Sequence, residues 1–171
     1  MKSKLVIAFL SLGATFLAIE PLTGQTPPPS LAGSWQFNLV PANPNPNVTD
    51  PTIHALATFT SDGSVIETDS SQVVPISPAV ARGIRAGTAG HGIWQPAPAI
   101  GNLFIQFISL IVNPNATLYA RKTVTINGAL DSIGNTFTGS YSYSLVDGSG
   151  NSLGTGSGTV TGQRIPHPLL P

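Results

Sequence analysis

The sequence predicts an all-β fold, a single antiparallel up-and-down barrel of about eight strands. Three observations predict it. The segments after residue 30 alternate apolar and polar residues, and none of them keeps a 3.6-residue period over the length of a helix. The breaks between segments carry turn residues, as in Asp62-Gly63, Asn113-Pro114-Asn115-Ala116 and Asp147-Gly148-Ser149-Gly150. The connections are mostly short, as consecutive hairpins require, and closing such a series into a barrel removes the exposed edges. A two-sheet sandwich is the alternative, but it needs the long crossovers of a Greek key.

Lys2 and Lys4 precede an uncharged apolar run, Leu5 to Ile19, which is followed by Glu20, Pro21 and the small pair Thr23-Gly24. This is the three-part form of a secretory signal, and it assigns residues 1–24 to a signal peptide. The run is short for a bilayer span of about 20 residues, so no stable membrane span is expected after cleavage. Residues 25–30 carry three consecutive prolines and read as a stiff spacer. The mature chain is then expected to be secreted or periplasmic, with the barrel over residues 31–165 and a short Pro-rich tail over 166–171.

Each strand has its own local signal. In Gly33 to Val40 the residues Trp35, Phe37 and Leu39 share one face. Thr52 to Thr60 turns at Asp62-Gly63 into Val65 to Asp69, because Asp-Gly suits a tight hairpin. Ser77-Pro78 offers an N-cap and a favourable first helical residue, which predicts one short helix over 78–86, weakened by Gly83 and stopped at Gly87. Strands resume with His91 to Gln95 and then Asn102 to Val112, whose apolar residues on both faces suggest a strand that is either central or covered on both sides. Thr117 to Ile126 follows, with Asn127-Gly128 opening the next connection. Asn135 to Val146 places Phe137, Tyr141, Tyr143 and Leu145 on one face. The last strand, Ser152 to Ile165, carries Gly154, Gly156, Gly158 and Gly162 on one side, where bare backbone permits close approach.

Composition narrows the function classes. Apolar residues make up 41% of the 171 and charged residues only 8%, so the solvated surface must be built from Ser, Thr, Asn, Gln and Gly. Without Lys2, Lys4 and Glu20, five basic residues face six acidic ones, a balance that offers no field for phosphate backbones; no nucleic-acid partner is expected. Cysteine is absent, which removes disulfides, thiolate metal sites, thiol nucleophiles and a lipoprotein anchor together. His54, His91 and His167 stand far apart and in no metal-ligand spacing. The glycines of 87–92 enter a strand rather than a helix, so they do not read as a phosphate loop. Gly154-Thr155-Gly156-Ser157-Gly158 has the letters of a nucleophile elbow but lies inside a strand, where packing explains it. No cofactor, metal or catalytic residue is expected on these grounds.

Gly33-Ser34-Trp35 on the first strand and Arg164 near the end of the last resemble the Gly-x-Trp and late-Arg pairing of lipocalins and related calycin barrels. The resemblance implies that Arg164 lies against the Trp35 ring and closes one end of the barrel, since a guanidinium can stack on an indole while donating to backbone carbonyls. Thr58 to Gly63, Gly90 to Trp94 and Asp147 to Asn151 are similar in layout to exported bacterial proteins of lipocalin-like form. At a greater distance the plan also resembles allene-oxide-cyclase-like barrels.

Eight strands leave room for side chains or one small ligand, with a lumen of about 300 Å³ or more marking a ligand site. The leading expectation is therefore a barrel that binds a small apolar or amphipathic molecule, with residues 70–90 as a lid. Polar candidates for the interior are Glu67, His91, Tyr119, Arg121, Tyr141 and Tyr143, with Trp94, Phe104 and Phe107 as pocket walls. Half of all strand side chains point inward, and the register decides which. If Glu67 or Arg121 points inward, burial demands a partner; the outer face is the other placement for both. A cofactor-free isomerase or cyclase acting by confinement is the enzymatic alternative, and a non-catalytic envelope or surface protein the third.

Overall fold

A computed structural model describes residues 30–44, 50–72, 86–97, 102–113 and 115–166. The signal and nearly all of the spacer and tail assigned from the sequence lie outside these residues, as do His167 and residues 78–85 of the expected helix. Nine strands occupy the described chain: β1 (Gly33–Pro41), β2 (Ile53–Phe59), β3 (Ser64–Asp69), β4 (Ala86–Gly87), β5 (Gly90–Pro96), β6 (Asn102–Val112), β7 (Leu118–Leu130), β8 (Thr136–Val146) and β9 (Ser152–Arg164). All pair antiparallel. The short β4 and the longer β5 pair with successive stretches of β6, Gly87 opposite Ile111 and His91 opposite Ile108, so together they fill one position in the wall. With the β1–β9 and β6–β7 pairings the sheet closes on itself as an eight-position up-and-down barrel.

Side-chain alternation divides each strand between lumen and solvent. Trp35, Phe37 and Leu39 of β1 point inward, as do Val65 of β3, Ile105 of β6, Val124 of β7 and Phe137 of β8. The outer face of β8 and β9 carries Thr136, Thr138, Ser140, Ser142, Thr155, Ser157, Thr159 and Thr161, all exposed. Uncharged hydroxyls solvate this wall where other proteins use charged residues.

Three hairpins share one device, an Asp that accepts backbone N–H groups across the turn and a glycine with positive φ that completes it. Asp62 accepts from the Ser64 amide at 3.1 Å beside Gly63, at φ 92°. Asp131 accepts from the Asn135 amide at 2.8 Å beside Gly134, at φ 74°. Asp147 accepts from the amides of Ser149 and Asn151, both at 2.8 Å.

Two local expectations need correcting. Asn127-Gly128 does not open the β7–β8 turn, because both residues stay paired, Asn127 with Ser140 and Gly128 with Gly139. The reason is packing: a Cβ at Gly128 would lie 2.5 Å from Phe137 Cζ, so this glycine seats a ring and the chain turns after Leu130. Of the two readings of β6, the central one holds, since it pairs with β4 and β5 on one edge and β7 on the other, while Ile108 and Leu110 remain 41% exposed on its outer face. At the edge of the segment where a helix was expected, Ala86 belongs to β4.

Candidate functional site

The two ends of the barrel are built differently. At the end where β1 begins, Trp35 is fully buried and donates from Nε1 to the Leu31 carbonyl at 2.8 Å. The Arg164 guanidinium lies 4.5 Å from the centre of the Trp35 ring and donates to the carbonyls of Gly134, Ala32 and Ser30 at 2.9, 2.6 and 2.6 Å. Phe37 packs edge-on against Phe59 and Phe137, with ring centres 6.0 and 5.7 Å apart. This end is a filled core whose polar atoms are matched.

At the opposite end the lumen opens into a cavity of about 230 Å³. Apolar walls come from Leu39, Ile53, Phe107, Val124 and Leu145, and polar groups from Glu67, Asp69, Ser109, Lys122, Tyr141 and Tyr143. Glycines make the space. On β9, a Cβ at Gly158 would lie 2.7 Å from the Tyr141 ring, and one at Gly156 would meet the Tyr143 ring more closely still, so bare backbone lets both rings approach this strand closely. Across the lumen, a Cβ at Gly90 would fall 2.6 Å from Phe107 and 2.9 Å from Glu67 Oε2. The wall itself is loosened here, because β3 pairs with β5 only as far as Glu67 opposite Gly90, and Thr68 and Asp69 continue with no partner on that side among the described residues.

The polar groups fall into two sets. Lys122 Nζ donates to Asp69 Oδ2 at 2.8 Å and to Ser71 Oγ at 3.3 Å, and Asp69 also accepts from the Ser71 amide at 2.8 Å. Burial works against the Asp69 charge, but Lys122 and Ser71 outweigh it and hold the carboxyl below the usual carboxylate range. That pair is internally satisfied. Glu67 is satisfied only in part: it is 4% exposed and its carboxyl shares a side-chain hydrogen bond with Asp69, while its Oε2 has no partner among the described residues. Burial first, and then the negative Asp69, push its pKa up to about 8 in spite of Lys122, so at neutral pH it carries its proton. The Tyr141 hydroxyl, also in a residue 4% exposed, has no partner either among the described residues, and burial followed by its neighbour Tyr143 raises its pKa. Two buried polar atoms, Glu67 Oε2 and the Tyr141 hydroxyl, are thus left unmatched beside one apolar cavity.

Of the residues singled out from the sequence, Glu67, Phe107, Tyr141 and Tyr143 line this cavity. The others do not. Trp94 stands nearer the filled end, donating from Nε1 to the Thr60 carbonyl at 2.8 Å and meeting Phe59 edge-on at 6.5 Å. Phe104 alternates with buried Leu103 and Ile105 and so faces outward. Arg121 is exposed on the outer face of β7, and His91 likewise on β5. Tyr119 sits at the irregularity where the β6–β7 register shifts and is half-buried outside the cavity.

Sequence reasoning missed Asp69, Ser109 and Lys122. The signal for two of them was present. Lys122 shares its parity with Ala120, Val124 and Ile126, and Asp69 shares its parity with Val65, so strict alternation would have turned both inward and left Arg121 outside. Among the described residues no group of His, Asp or Glu is placed to hold a metal ion. No protein-family model matches the chain, and no curated protein matches it either, so the site's chemistry has to be argued from its own geometry.

Proposed function

We propose that the barrel is an exported binding protein that holds one small apolar or amphipathic molecule at its open end. One observation carries this reading: an apolar cavity of about 230 Å³ is lined by two residues each with a buried polar atom, Glu67 Oε2 and the Tyr141 hydroxyl, that has no partner among the described residues. Leaving such a group unsatisfied costs about 1–3 kcal/mol, a cost that a ligand offering the missing partner removes. The volume falls short of the roughly 300–1,000 Å³ typical of drug-sized ligands, which limits the occupant to a small one. The signal-like N-terminus supports export, and the Trp35–Arg164 pair supports the lipocalin-like likeness at the level of a structural cap.

The enzymatic alternative, an isomerase or cyclase, gains from the inward placement of Glu67, since a neutral acid beside an apolar substrate can polarise it. It lacks a base, because the Asp69 carboxylate is engaged by Lys122 and Ser71. Binding is therefore the better-supported role.

Titration with acetophenone, followed through backbone amide shifts, tests the site. Saturable shifts are expected at Val124 and Tyr143 and not at Trp35 or Phe137, and Ser109→Leu, which fills the cavity, should weaken binding at least about tenfold. Shifts that fail to saturate, or that survive Ser109→Leu unchanged, would overturn the proposal.

A further inference from the structure

We infer that the outer face of β2, β3, β5 and β6 docks a second copy of this chain, face to face about a two-fold axis. The inference is independent of the lumen site, since the residues these strands give to the cavity, Glu67, Phe107 and Ser109 among them, point the other way.

The two sides of the outer surface are built differently. β8 turns hydroxyls outward from Thr136 to Ser144 and carries none of the exposed large apolar side chains, and on β9 only Leu153, at its start, is one among the described residues. On the other side Leu56 of β2, Ile66 of β3, Ile93 of β5, and Ile108 and Leu110 of β6 are 41 to 55% exposed. Register makes them neighbours. Ile66 lies opposite His91, and His91 opposite Ile108; Ile93 and Leu110 are the next outward positions on their strands, and Leu56 sits diagonally from Ile66 across the β2–β3 pairing. The same chain solvates one wall with hydroxyls and leaves the other apolar, so a shortage of polar residues does not explain the patch.

Area and charge indicate what covers it. Five half-exposed aliphatic side chains amount to about 450 Å² of apolar surface, toward the upper end for the largest patch of a monomer. With the polar side chains among them, Thr58, Thr68, His91 and Gln106, the face reaches about 700 Å², close to the roughly 800 Å² that each partner gives to a standard interface. No outward residue of these four strands is Asp, Glu, Lys or Arg, because their two carboxyl groups, on Glu67 and Asp69, turn inward. A copy facing itself therefore meets no like charge from these residues and desolvates none of them as an ion. Nor does the face offer the Lys and Arg that a surface for anionic lipid head groups would carry.

Shape favours the chain's own copy. A two-fold contact needs a patch with both a projection and a recess, because each copy must offer the other what it accepts. Beside Leu56 and Ile66 the outer surface sinks into a depression of about 300 Å³ that Ser34, Thr58, Thr68 and Ile165 also line. Ile93 and Ile108 stand on the next two strands. With the axis passing near the Ile66–His91 pair, the Ile93–Ile108 side of each copy covers the Leu56–Ile66 side of the other.

Sedimentation velocity of the purified protein over about 1–100 μM tests this, with a mass that rises from one chain to two and stops there as the expected result. Ile93→Lys places a charge in the face of each copy and should raise the dimer dissociation constant at least about tenfold, while Thr159→Lys on the hydroxyl wall should leave it within about twofold. Circular dichroism of both variants checks that the barrel is intact. A second measurement uses the absence of cysteine. His91→Cys, beside the axis, should be joined into dimers by a short bismaleimide at least about tenfold faster than Thr159→Cys, because only the former meets its own copy. A protein that stays a single chain at every concentration overturns the proposal. So does a dimer that Ile93→Lys leaves unchanged, association that continues past two copies, or equal cross-linking from the two cysteines.

Discussion

The two ends of this barrel are made from the same strands and have opposite polar accounts. At the filled end the charged group, Arg164, finds three carbonyls and an aromatic face, and the Trp35 indole finds the Leu31 carbonyl. At the open end Glu67 and Tyr141 are buried to the same degree, and Glu67 Oε2 and the Tyr141 hydroxyl find no partner among the described residues. Burial without a partner is unfavourable, so the open end lowers the stability that the filled end supplies. Folding alone does not require that arrangement, and the ligand binding proposed above would make use of it.

If the filled end anchors the fold, truncating its centre should have the largest effect. Trp35→Ala should cost about 3–5 kcal/mol, removing a fully buried indole and leaving Arg164 without its stacking face. Urea denaturation measures it, and a loss under about 1 kcal/mol would break the contrast between the ends.

The open end should respond to pH instead. The Glu67 pKa is raised from 4.5 to about 8 on folding, so its contribution to stability is fully present below pH 4.5 and is lost as the pH climbs to 8. Between those values stability should fall by at most about 1.4 kcal/mol per pH unit from this group. Glu67→Leu should flatten that slope and gain about 1–3 kcal/mol near pH 8, while weakening acetophenone binding about fivefold to tenfold. Thermal melts at several pH values provide the comparison, and a Glu67→Leu variant less stable than the parent at pH 8 would contradict it.

A smaller effect sharpens the picture of the filled end. Arg164→Lys keeps the charge but not the planar fork, so it can serve fewer of the three carbonyls and stacks poorly on Trp35. A loss of about 1–2 kcal/mol is expected. Acetophenone affinity, read at the other end, should stay within about twofold, which calorimetry on the same variant checks.

Much of the fold was legible because period-two alternation and turn chemistry are local. Trp35, Phe37 and Leu39 announce an inward face without reference to any other strand, and Asp62-Gly63 announces a reversal from two residues. Asn127-Gly128 shows the limit of that logic, since the same dipeptide chemistry that makes a turn also makes room for a ring, and Phe137 occupies it. Within the site, Glu67, Tyr141 and Tyr143 were legible as polar residues on strands; their meeting was not.

By itself the sequence determined a chain of antiparallel strands with hydroxyl-rich outer faces, few charged residues and no thiol chemistry. Tertiary structure decided the rest. Register selected Lys122 over Arg121 for the interior, closure of β1 on β9 brought Arg164 onto Trp35, and the glycines of β9 became the bed for Tyr141 and Tyr143. The physical reason is range: alternation and turns depend on neighbours in the chain, whereas a cavity depends on which side chains from distant strands share one space, and the pairing of strands settles that.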